Sequence, residues 1–270
     1  MSIYLDHAAT TPLRPEVLEA YVSALGVVGN PSSIHSQGQQ AKRMLEEARE
    51  RIAASLGADP VEVTFTSGGT EAVNLAVKGL YWARGRRRIL TSRAEHHATL
   101  DAVEWLVAHE GAVVDWIPVD GLGRLDLAYL AAALADDVAL VSVLWANNEV
   151  GTIQPVAEVV ALAAAHGVPV HCDAVSAYGH VPGSLDGLAA LSVSAHKVGG
   201  PVGVGALAIS RSASVTPLLH GGNQQRARSG TQDAAGAVAF GVAASLVERG
   251  LPVDTALRDR LIAGARAAVP

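Results

Sequence analysis

Residues 61–71 read Val61-Glu62-Val63-Thr64-Phe65-Thr66-Ser67-Gly68-Gly69-Thr70-Glu71. The β-branched and aromatic residues at 61–65 are typical of a strand, and the small and polar residues that follow are typical of a turn that opens a helix. Small residues in such a turn let backbone N–H groups approach an anion, and a helix N-terminus favours a phosphate. Turns of this kind are common, so this stretch alone leaves a purely structural turn open.

Strand patterns and helix patterns alternate along the rest of the chain. Apolar residues at helical spacing predict a helix over 37–56, with Gly57 as its C-terminal stop. Further strands are predicted at 89–91, 113–117, 139–144, 168–172, 191–194 and 204–209, and further helices at 70–82, 97–109 and 156–166. This alternation predicts an α/β fold with a mostly parallel, doubly wound sheet flanked by helices. A ligand should lie at the carboxyl ends of the strands.

The composition narrows the class of protein. A net charge of −6 argues against nucleic acid as a partner. The chain opens without the charged and apolar segments of a secretory signal, and its longest nearly uncharged stretch, 234–247, is too short to span a membrane. The single cysteine, Cys172, excludes an internal disulfide framework and fits a reducing compartment. We therefore expect a cytoplasmic protein that binds neither nucleic acid nor membrane.

Lysine is rare in this chain, which has three lysines, Lys42, Lys78 and Lys197, against 17 arginines. An amine can lose its proton and attack a carbonyl to form a Schiff base, whereas a guanidinium stays charged. Lys197 follows a predicted strand in the run Ser194-Ala195-His196-Lys197. It is the candidate for such chemistry, and a solvated cation is the alternative.

Polar residues also follow the other predicted strands. Asn147 and Asn148 come after the strand at 139–144, and Asp173 ends the strand at 168–172. An Asp at one strand end and a Lys at a later one suit pyridoxal phosphate, because the carboxylate keeps the pyridine nitrogen protonated while the amine holds the aldehyde. A helix cap or turn residue is the alternative for Asp173.

Eight short motifs occur in one order along the chain. They are residues 4–12, 29–35, 65–71, 95–96, 147–151, 171–174, 194–197 and 228–231. Together they resemble the cysteine desulfurase branch of the class V aminotransferase family, whose members are pyridoxal phosphate enzymes of fold type I. The resemblance runs from the amino terminus to about residue 250.

The resemblance implies catalytic roles for two residues and a cofactor contact for a third. Lys197 would bind the cofactor aldehyde as a Schiff base and move the α-proton of the substrate. His96 would stack on the cofactor ring and shuttle protons, and Asp173 would pair with the pyridine nitrogen. The adjacent His97 receives no role. No metal is predicted.

The resemblance also implies the binding residues. Those for the cofactor phosphate are Gly69, Thr70, Ser194 and His196. Thr231 matches a position that reaches the phosphate of the neighbouring subunit, which implies a homodimer. Asn148 would lie beside the cofactor ring and the substrate, and Asn30 is a candidate for the substrate carboxylate.

The sequence departs from the family directly after Asp173. Where the family has Thr-Gln, with the Gln bound to the phenolic oxygen of the cofactor, this chain has Val175 and Ser176. Ser176 keeps a hydroxyl donor with a shorter reach, so a water or a shifted backbone would have to bridge the gap. Because the partner of this oxygen tunes the cofactor's pKa, the change would alter the pH optimum or the reaction preference.

A second departure concerns the C-terminal part. The family's persulfide-forming cysteine and its carboxylate-binding arginine lie beyond the motif at 228–231, and this chain ends at Pro270 before either. We expect Cys172 to be a buried core thiol and no substitute. The predicted organisation is an arm at 1–13, a large cofactor-binding domain at 14–250, and a linker and helix at 251–270 leading to an absent small domain. Three explanations of this organisation are compatible with the sequence: the chain is a fragment of a longer desulfurase, a degenerate paralogue, or a chain that a partner protein completes.

The predicted function is that of a pyridoxal phosphate-dependent cysteine desulfurase-type enzyme, which mobilises sulfur from L-cysteine and releases alanine. In the length given, it lacks the thiol that completes persulfide formation. The alternatives are a related aminotransferase or selenocysteine lyase and a non-catalytic cofactor-binding remnant. A sulfur-acceptor protein is an expected partner, whether an iron–sulfur scaffold, a carrier or a tRNA-modifying enzyme.

Overall fold

A mixed β-sheet forms the centre of the protein. The computed structural model describes residues 3–251 and 255–269. Within these residues, the strands are β1 (Val63–Thr66), β2 (Arg88–Ser92), β3 (Val113–Ile117), β4 (Val138–Leu144), β5 (Val170–Asp173), β6 (Ala190–Ser194) and β7 (Gly205–Ile209). Their order is β1-β7-β6-β5-β4-β2-β3, and every neighbouring pair is parallel except the two that β7 makes. The predicted mostly parallel α/β sheet is confirmed.

Helices cover both faces of this sheet. Among the described residues they are α1 (Pro15–Leu25), α2 (Ser36–Ser55), α3 (Gly69–Arg84), α4 (His97–Glu110), α5 (Leu127–Ala133), α6 (Val156–Ala164), α7 (Ala234–Glu248) and α8 (Thr255–Ala268). Side chains alternate between the faces along each strand, so the core has two parts. Helices α3 and α4 cover one part, and α1, α2, α5, α6 and α7 contribute to the other.

The boundaries of the predicted helices agree with the structure to within two residues. Helices α1, α5 and α7 were not predicted, and α8 lies in the segment where a terminal helix was expected. Residues 1–2 of the predicted arm, and residues 252–254 and 270 of the predicted C-terminal segment, lie outside the described residues. None of the helices in the described ranges combines the length and the apolar character needed to cross a bilayer.

The first predicted strand begins two residues later than expected. Pro60–Glu62 forms a turn of 3₁₀ helix, and β1 starts only at Val63. The Glu62 side chain accepts a hydrogen bond from the backbone N–H of Asp59 at 2.9 Å. Proline at the first helical position and this reciprocal cap favour a helical turn over an extended chain.

Helix α7 supports the turn that follows β5. Phe240 is fully buried, and its ring meets the Tyr178 ring edge to face, with centroids 6.3 Å apart. The Tyr178 hydroxyl lies 2.6 Å from the Ser55 hydroxyl of α2. Gly241 allows α7 to approach α2 closely, since a Cβ there would lie 2.8 Å from the Cα of Ala48. These contacts fix the chain just beyond Asp173.

We expect Phe240→Ala to lower the free energy of unfolding by about 3–5 kcal/mol, because it removes a fully buried ring and leaves a cavity. Urea denaturation followed by circular dichroism measures this. Leu18→Ala, at a position that is 49% exposed, is the matched control and should change stability by roughly 0.5 kcal/mol or less. Equal losses in the two variants would contradict this packing.

Candidate active site

A cavity of about 550 Å³ opens at the carboxyl ends of the central strands. Eight of the residues predicted for the site line it: Gly69, Thr70, His96, Asn148, Asp173, Ser176, His196 and Lys197. They come from different strand ends, which the parallel pairing of β4, β5 and β6 brings to one edge of the sheet. Ligands of open α/β sheets bind at this edge.

The N-terminus of α3 forms one end of the cavity. Gly69 is buried, and a Cβ there would lie 2.7 Å from the Val175 side chain and 3.6 Å from the Cβ of Ser194. The Ser194 hydroxyl is buried and has no hydrogen-bond partner among the described residues. A 16-residue helix that begins with unbonded N–H groups beside a free hydroxyl is a site for an anion such as a phosphate.

Glu71 holds this turn in place. One carboxylate oxygen accepts the backbone N–H of Ser67 at 2.7 Å, and the other accepts the Arg228 side chain at 2.9 Å. Burial alone would raise the pKa of Glu71, but the hydrogen bonds from Arg228 and Ser67 lower it overall. The motif at 228–231 is thereby attached to the turn after β1.

Asp173 ends β5 and lies 7% exposed at the cavity wall. One carboxylate oxygen accepts the backbone N–H of Val175 at 2.9 Å. Burial raises the pKa of Asp173, while the Val175 bond and the charges of His96 and Lys197 act against the rise. A buried carboxylate is stabilised when a cation pairs with it, so Asp173 is suited to bind a protonated nitrogen in the cavity.

His96 is the N-cap of α4, and its orientation is fixed by the helix. Its Nδ1 accepts the backbone N–H of Ala98 at 3.0 Å. In a neutral ring the proton then sits on Nε2, which is left to serve the cavity. The residue before it, Glu95, is buried and accepts the backbone N–H of Leu144 at 2.8 Å. Glu95 therefore ties the end of β4 to the start of α4.

Glu95 and Asp173 are two buried carboxyl groups that act on each other. Burial raises the pKa of Glu95 well above its ordinary value, against the Leu144 bond and with the help of the nearby Asp173 charge. Two close buried carboxyl groups do not both ionise readily, and the larger rise at Glu95 favours protonation there over protonation at Asp173.

Lys197 follows β6 in a short 3₁₀ turn and is half-buried. Its Nζ donates hydrogen bonds to the carbonyl oxygen of Ala8 and, at 3.1 Å, to that of Ala9. Burial lowers the pKa of the Lys197 amine, against the opposing charges of Asp173 and Asp6. A lowered pKa leaves a larger fraction of the amine neutral at physiological pH, and the neutral amine is the form that acts as nucleophile and as base.

Three predicted site residues do not line the cavity. Ser194 lies directly behind it, beside Gly69. Asn30 is exposed, and its side chain accepts the backbone N–H of Ser32 at 2.9 Å. Thr231 is exposed just before α7. The proposed roles of Asn30 and Thr231 stay predictions.

Sequence reasoning assigned no role to the arm residues Asp6, Ala8 and Ala9, or to Glu149, all of which line the cavity. The motif at 4–12 was the signal that could have identified the arm. Asn148 donates its side-chain N–H to Glu149 at 2.8 Å. Asn147 holds this loop by donating to the carbonyl of Ala94 at 3.0 Å.

Comparisons with known proteins agree with this geometry. The family model described as "Aminotransferase class-V" matches residues 3–263. The chain belongs to the class V aminotransferase family. It is 53% identical to the "IscS-like cysteine desulfurase" of Mycobacterium tuberculosis, over 98% of this chain and 71% of that protein. It is 44% identical to "Cysteine desulfurase IscS" of Dictyoglomus turgidum, over 96% of this chain and 68% of that protein.

Solved structures of class V enzymes share the fold. A "NIFS-LIKE PROTEIN" superposes with a TM-score of 0.89 at 38% identity, over 92% of this chain and 70% of that one. "SspA in complex with cysteine" also gives a TM-score of 0.89, at 33% identity, over 96% of this chain and 76% of that one. The fold is therefore that of the fold type I pyridoxal phosphate transferases, and the family's cofactor is pyridoxal 5'-phosphate.

The residues of the cavity fit this cofactor. A helix N-terminus and the unpartnered Ser194 hydroxyl suit a phosphate, the Asp173 carboxylate suits a protonated pyridine nitrogen, and the Lys197 amine suits an aldehyde. Gly69 has no side chain, and a Cβ there would lie 2.7 Å from the Val175 side chain. Anion site, carboxylate and amine therefore lie around one space, as the cofactor requires.

Cys172 points away from this space. It is fully buried on the opposite face of β5 from Asp173, as the alternation along a strand requires. Burial raises the pKa of the Cys172 thiol well above its ordinary value, and the charges of Asp173 and Glu95 add to this. The prediction of a buried core thiol is confirmed, and a buried thiol with a raised pKa is a poor nucleophile.

We expect Cys172 to be unreactive towards the thiol reagent 5,5'-dithiobis(2-nitrobenzoate) in the native protein, because the sulfur is buried and protonated. After unfolding in guanidinium chloride, one thiol per chain should react at once. Release of the coloured product from the native protein within minutes would contradict the assignment. Cys172→Ser provides the zero-thiol control.

Proposed function

We propose that this chain acts as a pyridoxal phosphate-dependent cysteine desulfurase, which mobilises sulfur from L-cysteine and releases alanine. The observation that carries the proposal is the meeting of Lys197, Asp173 and the N-terminus of α3 in one cavity at the strand ends. Close relatives bear the name cysteine desulfurase, and a structural neighbour is described in complex with cysteine. Substrate identity at this chain rests on that similarity.

Bound pyridoxal phosphate would supply an aldehyde for the substrate amine and a ring that accepts electrons. The chain's own groups do the rest. Gly69, Thr70, Ser194 and His196 would hold the phosphate, and Asp173 would pair with the pyridine nitrogen. The Lys197 amine would take the α-proton of the substrate at its Nζ. His96 would exchange a proton through Nε2, since Nδ1 is committed to Ala98.

Asn148 and Ser176 complete the proposed contacts. Asn148 would orient the substrate beside the ring, with its amide steadied by Glu149. Ser176 lines the cavity and offers a hydroxyl to the phenolic oxygen. Asn30 remains a proposed contact of the substrate carboxylate, although it lies outside this cavity.

Sulfur transfer needs a thiol that accepts sulfur from the substrate. The 270 residues contain one cysteine, and Cys172 is buried away from the cavity. The acceptor thiol is therefore not Cys172, and we propose that it comes from outside these 270 residues, with a sulfur-acceptor protein receiving the sulfur. The net reaction, cysteine plus a thiol giving alanine plus a persulfide, balances for any accessible thiol.

We also propose that the protein is a homodimer, that its chain is divided into three segments, and that it is located in the cytoplasm. Thr231 lies exposed beside the start of α7, where a second subunit could bring it to a phosphate. Residues 1–13 would be an arm, 14–250 the cofactor-binding domain and 251–270 a linking segment. A cytoplasmic location is supported by the single, unpaired cysteine.

A related activity remains the second candidate, and one observation favours it. Ser176 stands where the family has a glutamine at the phenolic oxygen. Because the partner of this oxygen tunes the cofactor's pKa, the change favours a related reaction such as that of a selenocysteine lyase or an aminotransferase.

We expect the purified protein to bind pyridoxal phosphate with a visible absorbance band, and Lys197→Ala to lose that band because no amine remains to bind the aldehyde. Absorbance spectra of the dialysed proteins measure this. Lys42→Ala, at an exposed lysine of α2, is the control and should keep the band. A colourless wild type supplied with excess cofactor would remove the binding proposal.

We expect L-cysteine to yield alanine when dithiothreitol is added as the sulfur acceptor, and far less without it, because the chain has no accessible thiol. Lys197→Ala should reduce the rate by about a hundredfold or more. Chromatographic analysis of products from cysteine, selenocysteine and amino-acid/keto-acid pairs separates the candidates. Alanine from selenocysteine alone would favour the lyase, and transamination alone would favour the aminotransferase.

A further inference from the structure

The N-terminal arm lies along the short turn that carries Lys197. The backbone N–H and the hydroxyl of Thr11 both donate to the carbonyl of His196, at 2.9 and 2.8 Å. The same hydroxyl accepts the backbone N–H of Gly199 at 2.7 Å. Thr11 therefore binds the chain on both sides of Lys197, with its hydroxyl used as donor and as acceptor.

The segment before Thr11 forms a closed turn. The backbone N–H groups of Ala9 and Thr10 donate to the carbonyl of Asp6, at 3.2 and 3.3 Å. The Tyr4 hydroxyl donates to the same carbonyl at 2.7 Å. The Thr10 hydroxyl lies 3.1 Å from Nδ1 of His196, which gives the turn a second attachment to the lysine-bearing segment.

This turn presents two carbonyl oxygens to the lysine amine. Lys197 donates to the carbonyls of both Ala8 and Ala9. A neutral amine has two N–H donors and one lone pair, so two carbonyls that take both donors direct the lone pair away from the arm. Because Lys197 also lines the cavity, the remaining direction is the one in which an aldehyde or a substrate proton would lie.

We propose that Thr11 is a positioning residue for Lys197, which fixes the turn at 6–10 so that the carbonyls of Ala8 and Ala9 hold and orient the lysine amine. The part of this role that concerns catalysis rests on the proposed function. The contact itself does not, because it involves only groups of this chain. The hydrogen bonds of Thr11 reach residues more than 180 positions away in the sequence. The function of these bonds would be to position the lysine at the cavity.

The test measures how readily Lys197 is methylated by formaldehyde and dimethylamine–borane in the 270-residue chain, after hydroxylamine has removed any bound aldehyde cofactor and dialysis has removed the hydroxylamine. Peptide mass spectrometry reports each of the three lysines separately, so exposed Lys42 is an internal reference. Thr11→Val has nearly the same shape and loses both hydroxyl bonds. We expect it to raise the methylation rate of Lys197 by about three- to tenfold, as for the loss of one or two hydrogen bonds.

Thr11→Ser is the matched control, since it keeps the hydroxyl, and it should react like the wild type. Lys42 should not change in any variant. Circular dichroism and the urea midpoint confirm folding. If Thr11→Val does not fold, Thr10→Val is measured in its place, because it removes the hydrogen bond between the arm and the His196 side chain. The same increase in the methylation rate of Lys197 is then expected.

The proposal and the proposed function can fail separately. Equal methylation of Lys197 in wild type and Thr11→Val would overturn the positioning role, even if the protein binds pyridoxal phosphate. A raised methylation rate in a protein that never acquires the visible band would support the role and count against the function. In a protein that does bind the cofactor, slower growth of the band in Thr11→Val than in Thr11→Ser would support both.

Discussion

The parallel pairing of β4, β5 and β6 is the constraint on which the site depends. In this register Leu144 lies beside Asp173 and Asp173 beside Ser192, so β4 and β5 end at one level and β6 continues to Ser194. Asp173 is placed at the floor of the cavity by its position in β5, and a slip by one residue would turn its carboxylate into the opposite core. The same register determines the position of Lys197, because this residue lies three positions beyond the end of β6.

Much of this arrangement could be predicted from local patterns. Strand ends, the glycines before α3 and the lysine after β6 are features of neighbouring residues, and the periodicities that reveal them are short. The arm could not be placed in this way, because Thr11 meets His196 across 185 positions and its segment has no periodic pattern. The later start of β1 was missed because the reciprocal cap at Asp59 and Glu62 outweighed the β-branched residues around it.

The face of the sheet under α3 and α4 carries an unusual amount of buried polarity. His171 is fully buried between the hydroxyls of Ser142 and Ser192, both 2.9 Å from a ring nitrogen. Burial lowers the pKa of His171 to about 3, so the ring is neutral at physiological pH and links three strands through hydrogen bonds. Buried polar groups are costly unless they are paired, and the Ser194 hydroxyl on this face, which has no partner among the described residues, lies beside Gly69 at the N-terminus of α3.

Burial shifts the pKa values of the two central ionisable groups, Asp173 and Lys197, towards each other. The pKa of Asp173 rises and that of Lys197 falls, and both shifts have desolvation as their largest cause. The lower pKa leaves more of the Lys197 amine in the neutral form that accepts a proton. The arm acts on the amine from the exposed side, because its carbonyls are neutral acceptors that hold the amine, while the charge of Asp6 raises the amine's pKa. The lysine is thus held by carbonyl dipoles on the side of the arm, and its other side faces the cavity.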